Sequence, residues 1–241
     1  QNDPSARQEA ELWNAYMEWS GGPSVLGPAR LRELIWLNGV YSFEDMIDDL
    51  VSKGIIDRER IGVAGYSRGS QMVNVAVTQS TIFGAASSGD GNYLEPASYA
   101  DPKEGYHAIF GGPPSGHHLD SYRQLSPSLR AEKVCAPVLQ QMASPFAGAI
   151  DFYTALRDAE VPAQISLYPG EDIATDETHL FHIPSNRLRA MRENMAWFDF
   201  WLRGRRDPNM APISTYDRWS TMATQWRDCS RPPSALQREP S

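Results

Sequence analysis

The chain has 241 residues, enough for one large domain with appendages, and 41% of them are hydrophobic, enough for a substantial core. A formal charge of −8 argues against phosphate-backbone binding as the main task, so nucleic acid is not an expected partner. No apolar stretch approaches the roughly 18 residues of a membrane span and no signal-peptide pattern opens the chain, so no membrane partner is expected. Gln1 stands where a Met would open a full reading frame, as in a processed product or a piece of a longer protein. The compartment stays open between cytoplasm and periplasm.

In chain order, residues 1–22 begin polar and then carry Leu12, Tyr16 and Trp19 at helical spacing, which predicts an amphipathic helix ending at Gly21-Gly22-Pro23. A second helix is expected over 29–38. A third, over 42–53, is opened by a capping-box pattern at Ser42 and Asp45, and Gly54 stops it. Ile61 to Ala64 is a short apolar run of strand type, Gln71 to Gln79 a helix former, and Ile82 to Ser88 a second strand ending at Gly89-Asp90-Gly91. Residues 92–130, rich in Gly, Pro, Tyr, His and Ser, read as loop and short helix covering a site or the surface. Ala136 to Met142 is a third strand, 147–159 a helix, Ala163 to Tyr168 a fourth strand and 169–186 a long loop. Arg187 to Leu202 is a helix whose core stripe is read as Leu188, Met191, Met195, Phe198 and Leu202.

Short unbroken apolar strands alternating with helices predict an α/β fold, a mostly parallel sheet with helices on both faces. Three regions follow: a helical N-terminal segment (1–40), a catalytic core (41–204) and a Pro-rich tail (205–241), expected to be extended and to pack through Trp219 and Trp226.

Cys135 opens an apolar run and reads as a small buried hydrophobe, unpaired with Cys229. No C-x-x-C or H-E-x-x-H spacing occurs. His117-His118 with Asp120 sits in a Gly/Pro-rich loop and reads as solvated, so neither metal nor cofactor is expected.

Gly65-Tyr66-Ser67-Arg68-Gly69 fits G-x-S-x-G between a strand and a helix. That context predicts a nucleophile elbow. Ser67 takes a strained backbone conformation, and Gly65 and Gly69, lacking Cβ, let strand and helix pass close together. The Arg68 backbone N–H then points to where an oxyanion would form, aided by the helix N-terminus. A serine hydroxyl must hand its proton to a base, usually a histidine whose tautomer a carboxylate fixes. In the chain order nucleophile, acid, base, the base belongs in the loop after the last strand, where only His179 and His182 stand. His179 is preferred.

GYSRG after IDRERIGVAG, then APVLQQMA, FYTALRDAEVPAQISLYPGE, ETHLFHIPSNR and NMAWFDFWLRG, resemble the catalytic domain of prolyl-oligopeptidase-like serine peptidases over about residues 40–204. LQQMA, YTALR and WFDFWL are most similar to the lasso-peptide isopeptidase branch. The resemblance implies an α/β-hydrolase fold, Ser67 as nucleophile and His179, five before Pro184, as base. It also implies an acid a few residues after the strand ending at Met142, where this chain reads Ala143-Ser144-Pro145-Phe146. Asp151 is the nearest carboxylate and the first choice. Asp90 is the second, and the loop acids Asp172, Asp176 and Glu177 stand behind them.

Relatives of this kind carry several strands before the elbow strand, a second oxyanion donor and usually an N-terminal β-propeller, none recognisable in residues 1–58. The expectation is the rear portion of a hydrolase, the missing strands or propeller being supplied by a full-length chain. The expected activity is amide or isopeptide hydrolysis through an acyl-enzyme on a peptide substrate, with the aromatics of 92–125 lining the cleft. The alternatives are a catalytically impaired peptide-binding module and an esterase for small esters.

Overall fold

A computed structural model describes residues 4–19, 26–100, 108–143, 146–170, 177 and 179–226. Four parallel strands form one sheet in the order β1 (Gly62–Tyr66), β2 (Ala85–Gly89), β3 (Val138–Met142), β4 (Ala163–Leu167). Helix α3 (Arg68–Gln79) joins β1 to β2, a passage containing α4 (Leu119–Leu125) joins β2 to β3, and α5 (Ala147–Asp158) joins β3 to β4. Because side chains alternate across a strand, Ala86, Val138 and Ala163 face one core cluster while Ala85 and Leu139 face the other. Every residue of β2 and β3 is buried, as parallel strands covered on both faces should be.

The first cluster packs α3 and α5 on the sheet through Val73, Val77, Phe152 and Leu156, with Trp36, Val40 and Ile47 behind them. Those last three belong to α2, where the expected break near residue 40 is absent: Pro28–Arg32 runs through a π-helical turn, Glu33–Leu37, into Asn38–Ser52. Ser42 is therefore not a cap, and its hydroxyl donates to the Asn38 carbonyl one turn back, 2.8 Å away. Gly39 lies against Met72 of α3, so a helix-weakening glycine is kept where two helices meet.

The second cluster lies under α6 (Pro184–Arg203) and α7 (Ile213–Gln225). The stripe expected for α6 holds only in its last turn, where Phe198 and Leu202 pack against this cluster. Leu188, Met191 and Met195 are 48%, 59% and 55% exposed, while Ala196, Trp197, Phe200 and Trp201 are buried on the sheet. Both stripes are apolar at helical spacing, and the one carrying three large aromatic rings buries more area. Nor is the segment after Gly204 extended throughout. Tyr216, Trp219 and Ala223 recur at helical spacing, Pro208 and Pro212 stand ahead of the helix where proline is tolerated, and Trp219 is fully buried 5.1 Å from Trp197.

Cys135 is disulfide-bonded, against the reading of an unpaired hydrophobe; the sequence's other cysteine, Cys229, lies outside the described residues. Among the described residues no helix is long and apolar enough to cross a membrane.

Candidate active site

The elbow forms as its glycines demand, with one adjustment. Ser67 holds φ 58° and ψ −120°, a conformation costly for a residue with a Cβ. A Cβ on Gly65 would collide with the Gly69 carbonyl, so the strand-helix crossing requires glycine there, whereas one on Gly69 would meet nothing within 4 Å. A third glycine matters. A Cβ on Gly91 would strike the Ser67 carbonyl, and Ser70 Oγ, which reaches both the Ser67 carbonyl (2.6 Å) and the Gly91 carbonyl (2.5 Å), ties the elbow to the chain after β2. Ser67 N–H donates to Gly89 O at 2.7 Å, continuing the β1–β2 ladder.

His179 Nε2 lies 2.6 Å from Ser67 Oγ, and His179 Nδ1 lies 2.7 Å from Asp90 Oδ2. The three side chains form one hydrogen-bonded row. Asp90 is buried with φ 48°, and its other oxygen accepts the Ala143 backbone N–H at 3.2 Å. The carboxylate on Nδ1 fixes the tautomer that leaves Nε2 free to accept the serine proton. The row arises because Tyr66 pairs with Gly89 in the sheet register, so the next residues, Ser67 and Asp90, leave adjacent strands at the same carboxyl edge, where open α/β sheets place their sites.

Asp151, the first choice from sequence, stands elsewhere: on α5 its Oδ2 accepts from Ser128 Oγ at 3.3 Å. One turn into that helix, it faces the 3₁₀ segment Ser128–Lys133. The chain after β3 brings to the site the Ala143 N–H on Asp90 instead of a carboxylate. Asp172 and Asp176 lie outside the described residues. Glu177 is buried and accepts the backbone N–H groups of His182 (2.7 Å) and Ile183 (3.1 Å). Burial alone would raise its pKa, but these bonds and the Asn186 side chain pull it below the ordinary value. His182 turns to Leu180 O and Glu177, and the rings of His117 and His118 lie 3.9 Å apart, tilted by 44°.

Arg68 occupies the first position of α3, where the backbone N–H groups point out along the helix axis toward the N-terminus. Its guanidinium lies 5.8 Å from the ring centre of Tyr16 and 6.0 Å from that of Trp36, joining the elbow to α1 (Pro4–Trp19) and α2. Of the 92–125 passage expected to line a cleft, Tyr93 stands three residues after Asp90 and stacks on Phe146 at 5.2 Å. Residues 101–107 of that passage lie outside the described residues.

A parallel sheet with a nucleophile elbow, a histidine after the last strand and a buried carboxylate defines the serine hydrolases of α/β-hydrolase type. The chain belongs to the Prolyl oligopeptidase family, whose profile matches residues 29–205. It is 28% identical over 199 residues to the lasso peptide isopeptidase AtxE2 of Asticcacaulis excentricus, covering 77% of this chain and 26% of that protein. Among solved structures, a Ser-to-Ala variant of the AtxE2 isopeptidase with Astexin3-dC4 bound superposes with a TM-score of 0.67 at 25% identity, over 93% of this chain and 32% of that one. Pyrococcus horikoshii acylaminoacyl peptidase gives a TM-score of 0.55 at 26% identity, over 72% and 30% of the two chains. This chain thus spans about a quarter to a third of the length of these relatives.

Proposed function

We propose that this chain carries the catalytic machinery of a serine peptidase acting on an amide carbonyl, with Ser67 as nucleophile, His179 as base and Asp90 as the acid that orients it. The observation that carries the reading is the hydrogen-bonded row Ser67 Oγ, His179 Nε2, His179 Nδ1, Asp90 Oδ2, with both distances under 3 Å. Ser67 Oγ adds to the carbonyl carbon as His179 Nε2 takes its proton. The tetrahedral oxyanion forms against the Arg68 N–H and the N-terminus of α3. His179 returns the proton to the leaving nitrogen as the C–N bond breaks. Water then attacks the acyl-enzyme by the reverse assignment, releasing a carboxylic acid and restoring Ser67.

The likeness to a lasso peptide isopeptidase supports a finer reading: the scissile bond is the side-chain amide closing the ring of a lasso peptide. Tyr93, within the 92–125 passage expected to line the cleft, is stacked on Phe146. The test is mass spectrometry of a lasso peptide incubated with the chain. Opening of the macrolactam adds one water and yields a linear peptide; a product cut in the main chain, with the ring intact, would refute isopeptide specificity while leaving the peptidase chemistry in place.

A further inference from the structure

The second position of G-x-S-x-G is open to any residue, yet here it is occupied by a side chain that touches all three segments of the row. Tyr66 is the last residue of β1 and pairs with Gly89. Its ring lies over Gly89, where a Cβ would collide with it, and Gly89 immediately precedes Asp90. The ring stands 5.7 Å from the His179 imidazole and meets Phe181 edge-on at 5.8 Å and 83°. Its hydroxyl donates to the His179 carbonyl. Phe181 in turn packs on Tyr168, whose hydroxyl binds Glu193 of α6.

His179 itself sits in a bend, with no helix or strand to fix it, and its side chain is half exposed. Glu177 and Arg187 hold the bend further along, at His182, Ile183 and Phe181. The grip on the main chain of His179 comes from the elbow. We propose that Tyr66 is a positioning residue for the base: by clamping the His179 carbonyl it sets the imidazole where one ring nitrogen meets Ser67 and the other Asp90. This rests on the hydrolase reading above. Burial and the nearby Asp90 charge push the Tyr66 phenol up to about 12, so it stays a donor at neutral pH.

Tyr66→Phe keeps the ring on Gly89 and Phe181 and removes only the clamp. With a nitrophenyl ester, kcat should fall about tenfold or more, the scale of one lost hydrogen bond, with KM within about twofold and the unfolding midpoint nearly unchanged. Fluorophosphonate labelling of Ser67 should slow in parallel. In a His179→Ala background, Tyr66→Phe should cause no further loss, because the tyrosine acts through the imidazole. Wild-type labelling with Tyr66→Phe unchanged, or an equal loss in both backgrounds, would overturn this proposal alone. Absence of labelling in folded wild type would overturn the hydrolase reading and this proposal with it.

Discussion

Asp90→Asn tests the proposed proton path at a single atom. Asp90 Oδ1 accepts the Ala143 N–H at 3.2 Å and Oδ2 faces His179 Nδ1 at 2.7 Å. An asparagine can satisfy the Ala143 N–H only with its oxygen, which turns its NH2 toward the histidine. That group donates, so Nδ1 must accept, and the imidazole proton moves to Nε2, 2.6 Å from Ser67 Oγ. The base then offers a proton to the serine when it should take one. In the serine-protease template the same tautomer error costs about 10⁴ in kcat, equivalent to about 5.5 kcal/mol of transition-state stabilisation. The assay is pre-steady-state acylation by a nitrophenyl ester, with circular dichroism to confirm folding. Asp90→Asn should lose about three to four orders of magnitude on that scale, while Asp151→Asn, whose carboxylate is engaged with Ser128, stays within about threefold of wild type. An Asp90→Asn rate within tenfold of wild type, or an equal loss in Asp151→Asn, would refute the assignment.

Gly65→Ala should destabilise the chain by about 1–3 kcal/mol or more in urea unfolding, because its Cβ meets the Gly69 backbone, while Gly69→Ala, facing open space, should stay within about 1 kcal/mol of wild type. Equal effects would show that the crossing at the elbow is looser than described. Glu95 is fully buried near Asp151; burial pushes its carboxyl up to about 8, the Asp151 charge adds to the rise, and the Ser128 hydrogen bonds oppose it. The folded state then holds a proton that the unfolded state has released, so stability should decline as pH rises from about 4.5 to about 8 and level off above. Glu95→Gln, keeping an acceptor for the Ser128 N–H, should flatten the thermal midpoint across that window; an unchanged slope would place the pH dependence elsewhere.

The elbow and the histidine that meets it were legible in the sequence because both are local signals: Ser67 sits in a strand-turn-helix motif, and His179 is one of two histidines in the loop after the last strand. The carboxylate beside that histidine, Asp90, was only the second choice after Asp151, because its placement depends on sheet register. Nothing in Gly89-Asp90-Gly91 announces that Gly89 pairs with Tyr66, and that pairing is what sets Asp90 beside Ser67. The succession of strands and helices along the chain could be read from the alternation of short apolar runs and helical periods, but which face of a helix meets the sheet could not. α6 carries two apolar stripes, and the choice fell to the tryptophans that fill the space above Ala85 and Leu139. α2 is continuous across Gly39 because its packing on Met72 outweighs the local propensity to break. The prolines at 208 and 212 suggested extended chain, when they mark the approach to a helix whose Trp219 completes the second core cluster.

Peptide mapping after treatment with a fluorophosphonate reads out the proposed nucleophilic hydroxyl at residue 67. One adduct per folded chain is expected, located on Ser67, abolished in Ser67→Ala and slowed by orders of magnitude in His179→Ala. An adduct on another residue, or none on well-folded protein, would rule out Ser67 as the nucleophile.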